Sequence, residues 1–170
     1  GSAELSYNGV LYLTATARND WFSVLNPEFN SIFYPSVGAS WVFSDTFENM
    51  PSVVSFGKLR ASWAQVGLVN IGPYSTNLTY GLGTTHLSRP TAGISGAFNL
   101  GSLSNPLLQP ALSTELELGF DVRFFNNRLG LDLAWYSQET TNDIVDQTIS
   151  RASGFSSTKI NVGQITNKGY

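Results

Sequence analysis

Apolar and polar side chains alternate residue by residue over long stretches of this chain. In the clearest stretch, residues 114–125, the even positions after Thr114 are apolar, and the odd positions as far as Arg123 are charged or glycine. Successive side chains of an extended strand point to opposite faces, so this period predicts a sheet with one apolar and one polar face. Helical spacing is sustained nowhere, and at most a helical turn is expected within residues 45–50. We therefore predict an all-β chain.

Other stretches follow the same rule with more exceptions. We predict strands at residues 5–18, 33–43, 58–66 and 128–138, a sixth near 144–150 and a seventh that begins near Asn161. The expected architecture is about six to seven antiparallel strands in up-and-down order. Leu116, Leu118, Phe120, Val122 and Phe124 should share a face with Leu129, Leu131, Leu133 and Trp135.

The connections alternate between short and long. Asn126-Asn127 separates two alternating runs and predicts a tight hairpin, because asparagine tolerates the left-handed backbone of such turns. Residues 67–112, in contrast, are rich in Gly, Ser, Thr, Asn and Pro and predict a long loop. Short turns at one end and long loops at the other are typical of outer-membrane β-barrels. This places residues 67–112 and 19–30 outside the cell, and residues 45–56 on the periplasmic side with the hairpin.

A soluble β-sandwich has half-buried strands with the same alternation, so it stays open as the alternative, as a binding module with Trp and Tyr platforms for carbohydrate. Three features favour the membrane barrel: strands of about 10–12 residues, aromatic residues near strand ends, and several charges on one face. Charged residues make up only 12% of the chain, about half the usual share of a soluble domain. Solubility of the isolated chain as a monomer would favour the sandwich.

Signs of catalysis or metal binding are sparse, and we expect neither an enzyme nor a cofactor. His86 is the one histidine, so a Ser-His-Asp triad would depend on it entirely. Glu115 and Glu117 share a strand face, but a solvated face paired with Arg123 or Arg128 explains them better than a catalytic carboxylate pair. Asn142, Asp143 and Asp146 lack the regular ligand spacing of an EF-hand calcium loop. The net charge of −3 and the scattered basic residues exclude nucleic acid as an expected partner, and the absence of cysteine excludes disulfides.

One segment resembles a known family. Asn105-Pro106-Leu107-Leu108-Gln109-Pro110 and the strand that ends Gly119-Phe120-Asp121 are similar to the junction of external loop and strand in the SusC/RagA family of TonB-dependent receptors. That family has Asn-Pro-x-Leu-x-Pro-Glu before a strand with Gly-x-Asp, and Ala111 stands here in place of the Glu. Residues 161–170 resemble the family's Gly-x-Ile-x-Asn-x-Gly pattern at the start of a further strand.

The resemblance implies part of the C-terminal half of a large barrel in the cell outer membrane, in contact with its lipid. Such proteins import oligosaccharides or peptides with a SusD-like surface lipoprotein and the TonB complex as partners. The N-terminal plug domain is not expected among these residues, and Gly1-Ser2 looks like a remnant of cloning. If family behaviour carries over, the outer loops contact substrate or lid. The candidate residues are Trp21, Tyr74, Tyr80 and His86.

Overall fold

The computed structural model describes residues 1–47, 51–79, 81–83, 96–98 and 101–170 of the chain. Nearly all of its regular structure is β. The strands are β1 Ser2–Tyr7, β2 Leu11–Trp21, β3 Ser31–Val42, β4 Val54–Leu68, β5 Gly81–Gly83, β6 Gly96–Phe98, β7 Ser102–Leu103, β8 Ala111–Phe124, β9 Leu129–Thr148 and β10 Ser157–Gly169. Two single-turn 3₁₀ helices lie at Phe43–Asp45 and Arg151–Ser153. In the described ranges there is no helix of the length and apolarity needed to cross a membrane.

Eight of the strands form one sheet in the order β1-β2-β3-β4-β8-β9-β10-β7. The neighbours from β1 to β10 are antiparallel, and only the two-residue β7 runs parallel to its partner β10. β5 and β6 pair with each other in a separate small ribbon. The prediction of antiparallel strands in up-and-down order is confirmed.

The register brings side chains of one kind into rows across the sheet. One row joins Leu11, Trp41, Leu59, Phe120 and Leu133 through successive strand pairs. Leucines on this apolar face are exposed, Leu133 to 57%. In the parts of the chain that the structure describes, no second sheet or helix covers that face, so the layered core of the sandwich alternative is missing. The predicted shared face of β8 and β9 is confirmed by the pairs Leu118↔Trp135, Phe120↔Leu133, Val122↔Leu131 and Phe124↔Leu129.

The prediction of one strand over residues 5–18 is wrong. The chain reverses at Asn8-Gly9, both in the left-handed region with φ of 51° and 67°, and β1 and β2 pair across this turn. An Asn-Gly pair favours a tight hairpin turn because both residues accept positive φ. The alternation on either side continued through the turn in the sequence and concealed it.

The prediction of separate strands at 128–138 and 144–150 is also wrong, because β9 runs unbroken through both. Its backbone irregularity lies at Asn142, where φ is 57° and the pairing with β10 shifts register. The polar run before Ile144 reads as a loop in sequence, yet a bulge of this kind bends a strand without ending it. One error adds a strand and the other removes one, so the predicted number of seven agrees with the seven strands of six residues or more in the main sheet, which also contains the two-residue β7.

The two ends of the sheet differ in their connections. At the turn end, β1–β2, β3–β4 and β8–β9 are joined by residues 8–10, 43–53 and 125–128. At the loop end, β2–β3, β4–β8 and β9–β10 are joined by residues 22–30, 69–110 and 149–156. The pairs Leu68↔Ala111 and Val54↔Phe124 place the long connection opposite the Asn126-Asn127 turn, in agreement with the sequence prediction.

Candidate functional site

The loop end of the sheet carries a cavity of about 580 Å³ between the connection 22–30 and the start of the connection 69–110. A cavity of this size is within the range of small-molecule sites. The residues that line it are Ser23, Val24, Leu25, Asn26, Pro27, Asn30, Pro73, Tyr74, Thr76, Asn77 and Pro106.

One wall of the cavity is the compact loop 22–30. The backbone N–H of Phe22 donates to the Asn30 carbonyl over 2.8 Å, and that of Phe29 donates to the Asn26 carbonyl over 2.8 Å. The Asn26 side-chain oxygen accepts a further bond from the Glu28 N–H at 3.2 Å. Leu25 is buried beneath them, 5% exposed. The wall is therefore fixed by local hydrogen bonds and one apolar anchor.

The opposite wall contains Tyr74, one of the predicted candidates. Its backbone lies in the left-handed region with φ of 62°, and its carbonyl accepts from the Asn77 N–H at 3.0 Å. A tyrosine in this region is uncommon and costs conformational energy. The side chain is 74% exposed, so the turn presents the ring to solvent at the cavity.

The segment 105–110 borders this region and is fastened to β10 by side-chain amides. Asn105 donates to the Lys159 carbonyl at 2.9 Å. Asn161 accepts from the Gln109 N–H at 3.0 Å and donates to the carbonyls of Gln109 and Asn142, both at 2.8 Å. Leu108 is completely buried within this junction. The motif with which the sequence resembles a known family is thus the anchor of the long connection.

The polar face of the sheet carries ion pairs in several places. The Arg60 guanidinium crosses over Gly119 and reaches an Asp132 carboxylate oxygen at 2.9 Å, and a Cβ on Gly119 would lie 2.6 Å from its Nε. Arg123 approaches Asp121 at 3.9 Å instead of the glutamates with which the sequence paired it. A glycine in the middle strand therefore lets one arginine bridge β4 to β9 across β8.

Near the loop end the same face carries Arg18, Asp20 and Tyr34. Arg18 Nε donates to one carboxylate oxygen of Asp20 at 2.7 Å, and the Tyr34 hydroxyl donates to the other. Further along β9 and β10, Lys159 contacts Asp146 at 2.9 Å. Asp146, one of the acidic residues weighed for calcium, is thus held by a cation in this structure.

The four predicted site residues have different positions. Tyr74 lines the cavity. Trp21 belongs by register to the apolar face with Leu11 and Leu13, where it is 69% exposed. This position suits an aromatic at a membrane interface as well as a ligand contact, and its substrate role stays a prediction. Tyr80 and His86 lie outside the described residues.

Sequence reasoning did not single out Asn26, Asn30, Asn77 or Asn161. The asparagines of the cavity come from two connections that are distant in sequence, so no local spacing marks them. Asn161 stands within the quoted pattern at 161–170, but its contact with Gln109 spans 52 residues. Only the folded sheet brings these side chains together.

Comparisons with known proteins agree with this geometry. A family model described as "TonB dependent receptor-like, beta-barrel" matches residues 1–170. The chain is 33% identical over 173 residues to TonB-dependent receptor P26 of Formosa agariphila, and 29% identical over 171 residues to TonB-dependent receptor P3 of the same organism. Each match covers 100% of this chain and 17% of the relative, so the chain spans about a sixth of the relatives' length.

Solved structures with the same arrangement of strands are also much longer than this chain. The RagAB peptide transporter superposes with a TM-score of 0.87 at 24% identity, over 99% of this chain and 18% of that one. The siderophore receptor PirA from Pseudomonas aeruginosa superposes with a TM-score of 0.61 at 18% identity, over 99% of this chain and 28% of that one. These superpositions show that the sheet has the fold of a barrel-wall segment.

Proposed function

Because the chain belongs to the TonB-dependent receptor-like β-barrel family, we propose that it forms part of the barrel wall and outer loops of an outer-membrane nutrient transporter. The observation that carries this proposal is the uncovered apolar face of the sheet. On β8 this face extends from Leu116 to Phe124, about 27 Å along the strand. At the usual barrel tilt that gives a height of about 21 Å, close to the lipid-facing band of outer-membrane barrels.

The opposite face fits the interior of such a barrel. It carries the Arg60–Asp132 pair, the Arg18–Asp20–Tyr34 cluster and Glu117 on neighbouring strands. Charged groups of both signs are stable there because the lumen of a large barrel is wet. We propose a transport role without catalysis.

We assign the transporter to the SusC/RagA branch of the family. Support comes from the anchor Asn105-Pro106-Leu107-Leu108-Gln109-Pro110 and from the RagAB superposition. The assignment makes a SusD-like surface lipoprotein the partner at the loop end and oligosaccharides or peptides the cargo. TonB coupling and the plug belong to the rest of the full-length protein, since these residues correspond to a sixth of its relatives.

In this proposal the loop end faces the cell exterior, the turn end faces the periplasm, and residues 67–112 form an extracellular loop. Unique cysteines test the orientation, because the chain has none of its own. In the full-length transporter, with any other cysteines replaced, Leu107→Cys reports the loop end and Arg128→Cys the turn end; both native side chains are exposed. A membrane-impermeant maleimide should label intact cells at position 107, and at position 128 only after lysis.

Equal labelling at both positions in intact cells, or the reverse order, would contradict the orientation. Transport is tested separately in the same cells. Deleting the TonB-contacting segment of the full-length protein should abolish growth on its nutrient while both cysteines keep their labelling pattern. Growth that does not depend on that segment would refute a TonB-dependent transporter and leave the orientation result intact.

A further inference from the structure

We propose that the turn end of the apolar face binds one phospholipid with a primary-amine headgroup, phosphatidylethanolamine. The site lies outside the transport role, although it requires the sheet to lie in the outer membrane, as in the proposed function. The observation that carries the proposal is a pair of cavities that share Trp41. One has polar side chains in its lining and lies at the turns, and the other is apolar and lies on the sheet. A phospholipid has the same division into a polar head and apolar chains.

The apolar cavity, about 720 Å³ in volume, is a groove across four strands from β3 to β9. The cross-strand pair Ala39↔Ala61 contributes only two methyl groups to it, whereas the next pair toward the turn end is Trp41↔Leu59. Small side chains beside a row of large ones leave a depression in the face. At the usual strand spacing the groove is about 14 Å long. It is therefore suited to one acyl chain.

The groove begins at the turn end and continues toward the middle of the sheet. Trp41 is next to the last residue of β3. Leu59, Phe120 and Leu133 instead lie four or five residues inside the turn-end limits of their strands. The Trp41 ring Nε1 donates to the Thr46 hydroxyl at 2.8 Å, so its polar edge faces the turn while the ring lines the groove. This is the position of a tryptophan at a membrane interface, with the polar head outside it and the chain inside.

The polar cavity, about 620 Å³ in volume, lies between the turns that join β1 to β2 and β3 to β4. Asp45 is the one charged residue among the described residues of its lining. The Asp45 carboxylate accepts a bond from the Ser44 hydroxyl at 3.0 Å, and the described part of the chain places no Lys or Arg within ion-pair distance of it. The Asn8 side chain in the same lining makes no hydrogen bond to another described residue. The cavity thus presents oxygen acceptors and a negative charge.

A primary ammonium is the headgroup that this lining complements. It donates up to three hydrogen bonds, and the oxygens of Asp45 and Asn8 can accept them. Anionic headgroups bind instead to basic residues, and the described lining contains none. A trimethylammonium head has no N–H to donate to the carboxylate. Phosphatidylethanolamine is therefore favoured over both phosphatidylglycerol and phosphatidylcholine.

The test uses the full-length transporter in vesicles of phosphatidylcholine and phosphatidylglycerol. Separate samples contain a trace of phosphatidylethanolamine, phosphatidylcholine or phosphatidylglycerol with a photoactivatable diazirine in one acyl chain. After irradiation, mass spectrometry measures the lipid attached to β3 and β4. The phosphatidylethanolamine probe should label these strands about fivefold more than the other two, and Asp45→Asn should remove this preference, as expected for one charge at a membrane surface. Ala61→Leu fills the groove and should reduce labelling by the phosphatidylethanolamine probe to the level of the other probes.

Two matched variants serve as controls. Glu4→Gln removes an exposed carboxylate from the polar face of β1. Ala15→Leu adds the same bulk as Ala61→Leu to the apolar face, on β2 and outside the lining of both cavities. Both should leave the labelling of β3 and β4 unaltered.

Equal labelling by the three probes, or preference for phosphatidylcholine or phosphatidylglycerol, would overturn the proposal. So would a preference for phosphatidylethanolamine that Asp45→Asn and Ala61→Leu leave unchanged. The maleimide pattern at positions 107 and 128 reports the placement of the sheet in the membrane independently of lipid. Failure of the lipid site is therefore distinguishable from failure of the proposed function.

Discussion

At the scale of single residues, Asn161 connects three separate parts of the chain. Its one amide group joins β10, the bulge of β9 and the segment 105–110 through three hydrogen bonds. Asn105 adds a fourth bond between that segment and β10. The loop-end cavity borders the segment through Pro106, so Asn161 supports one wall of the cavity without lining it.

We expect Asn161→Leu to release the segment 105–110 while the barrel stays assembled. Two of the three hydrogen bonds join Asn161 to Gln109 of the segment. Their loss, at net values near 1 kcal/mol each, should reduce the local stability of the segment by about 2 kcal/mol. Limited proteolysis of the folded full-length protein checks this, and cleavage within residues 101–110 should accelerate about tenfold or more. Asn167→Leu, an exposed change on the same strand, is the control. Equal cleavage rates in both variants would show that Asn161 does not hold the segment 105–110 in place.

At the scale of elements, the apolar face is completed at the turn end by an aromatic cluster. The 3₁₀ turn Phe43–Asp45 brings the Phe43 ring onto Gly57, where any Cβ would overlap it, and stacks it on Phe120 at 6.2 Å between centroids. Trp41 meets Phe43 and Phe47 edge to face. Rings at this level of the sheet match the aromatic girdle at one membrane interface.

We expect Phe43→Ala to lower the free energy of unfolding of the assembled barrel by about 1–3 kcal/mol, because the contacts of Phe43 with Phe120 and Trp41 are lost. Gly57→Val should have a similar effect, since its side chain would occupy the position of the ring. Phe125→Ala, in the neighbouring turn with a ring 55% exposed, serves as the control. The readout is the temperature at which the full-length protein loses its compact mobility in gel electrophoresis. A Gly57→Val protein as stable as wild type would refute the stacking role of Phe43.

The elements also show what the sequence could and could not predict. The alternation of apolar and polar residues identified the two faces of β8 and of the turn-end half of β9. An apolar environment on one side of a sheet and water on the other impose opposite demands on successive residues. The loop-end half of β9 has no such contrast between its faces. The sequence around Asn142 therefore resembled a loop, whereas in the structure Asn142 forms a bulge within the strand. The cavity could not be predicted because its walls come from separate connections, although Tyr74 was a candidate as an aromatic residue of the predicted outer loop, by resemblance to the family.

At the scale of the whole molecule, the main sheet is open and ends in two incompletely paired edges. β1 at one edge pairs, among the described residues, with β2 alone. At the other edge, β7 covers only Ser157 and Thr158 of β10, and the segment 105–110 occupies the edge as far as Asn161. The edge of β10 from Val162 to Gly169 has no strand partner among the described residues. In the full-length protein we expect further strands of the barrel to pair with β10 from Val162 to Gly169 and with β1.

The isolated chain of 170 residues therefore should not exist as a monomer in water. In water the leucine-rich face is exposed to solvent and not covered by lipid. The edges of the sheet also present free backbone donors and acceptors, which promote pairing with other copies. Burying about 400 Å² of apolar surface contributes about 10 kcal/mol, enough to offset much of the entropic cost of association. Light scattering in detergent-free buffer should show oligomers or aggregates, and detergent micelles that cover the face should reduce their size. A stable monomer without detergent would mean that the chain covers its own apolar face, and the soluble sandwich would then be the better description.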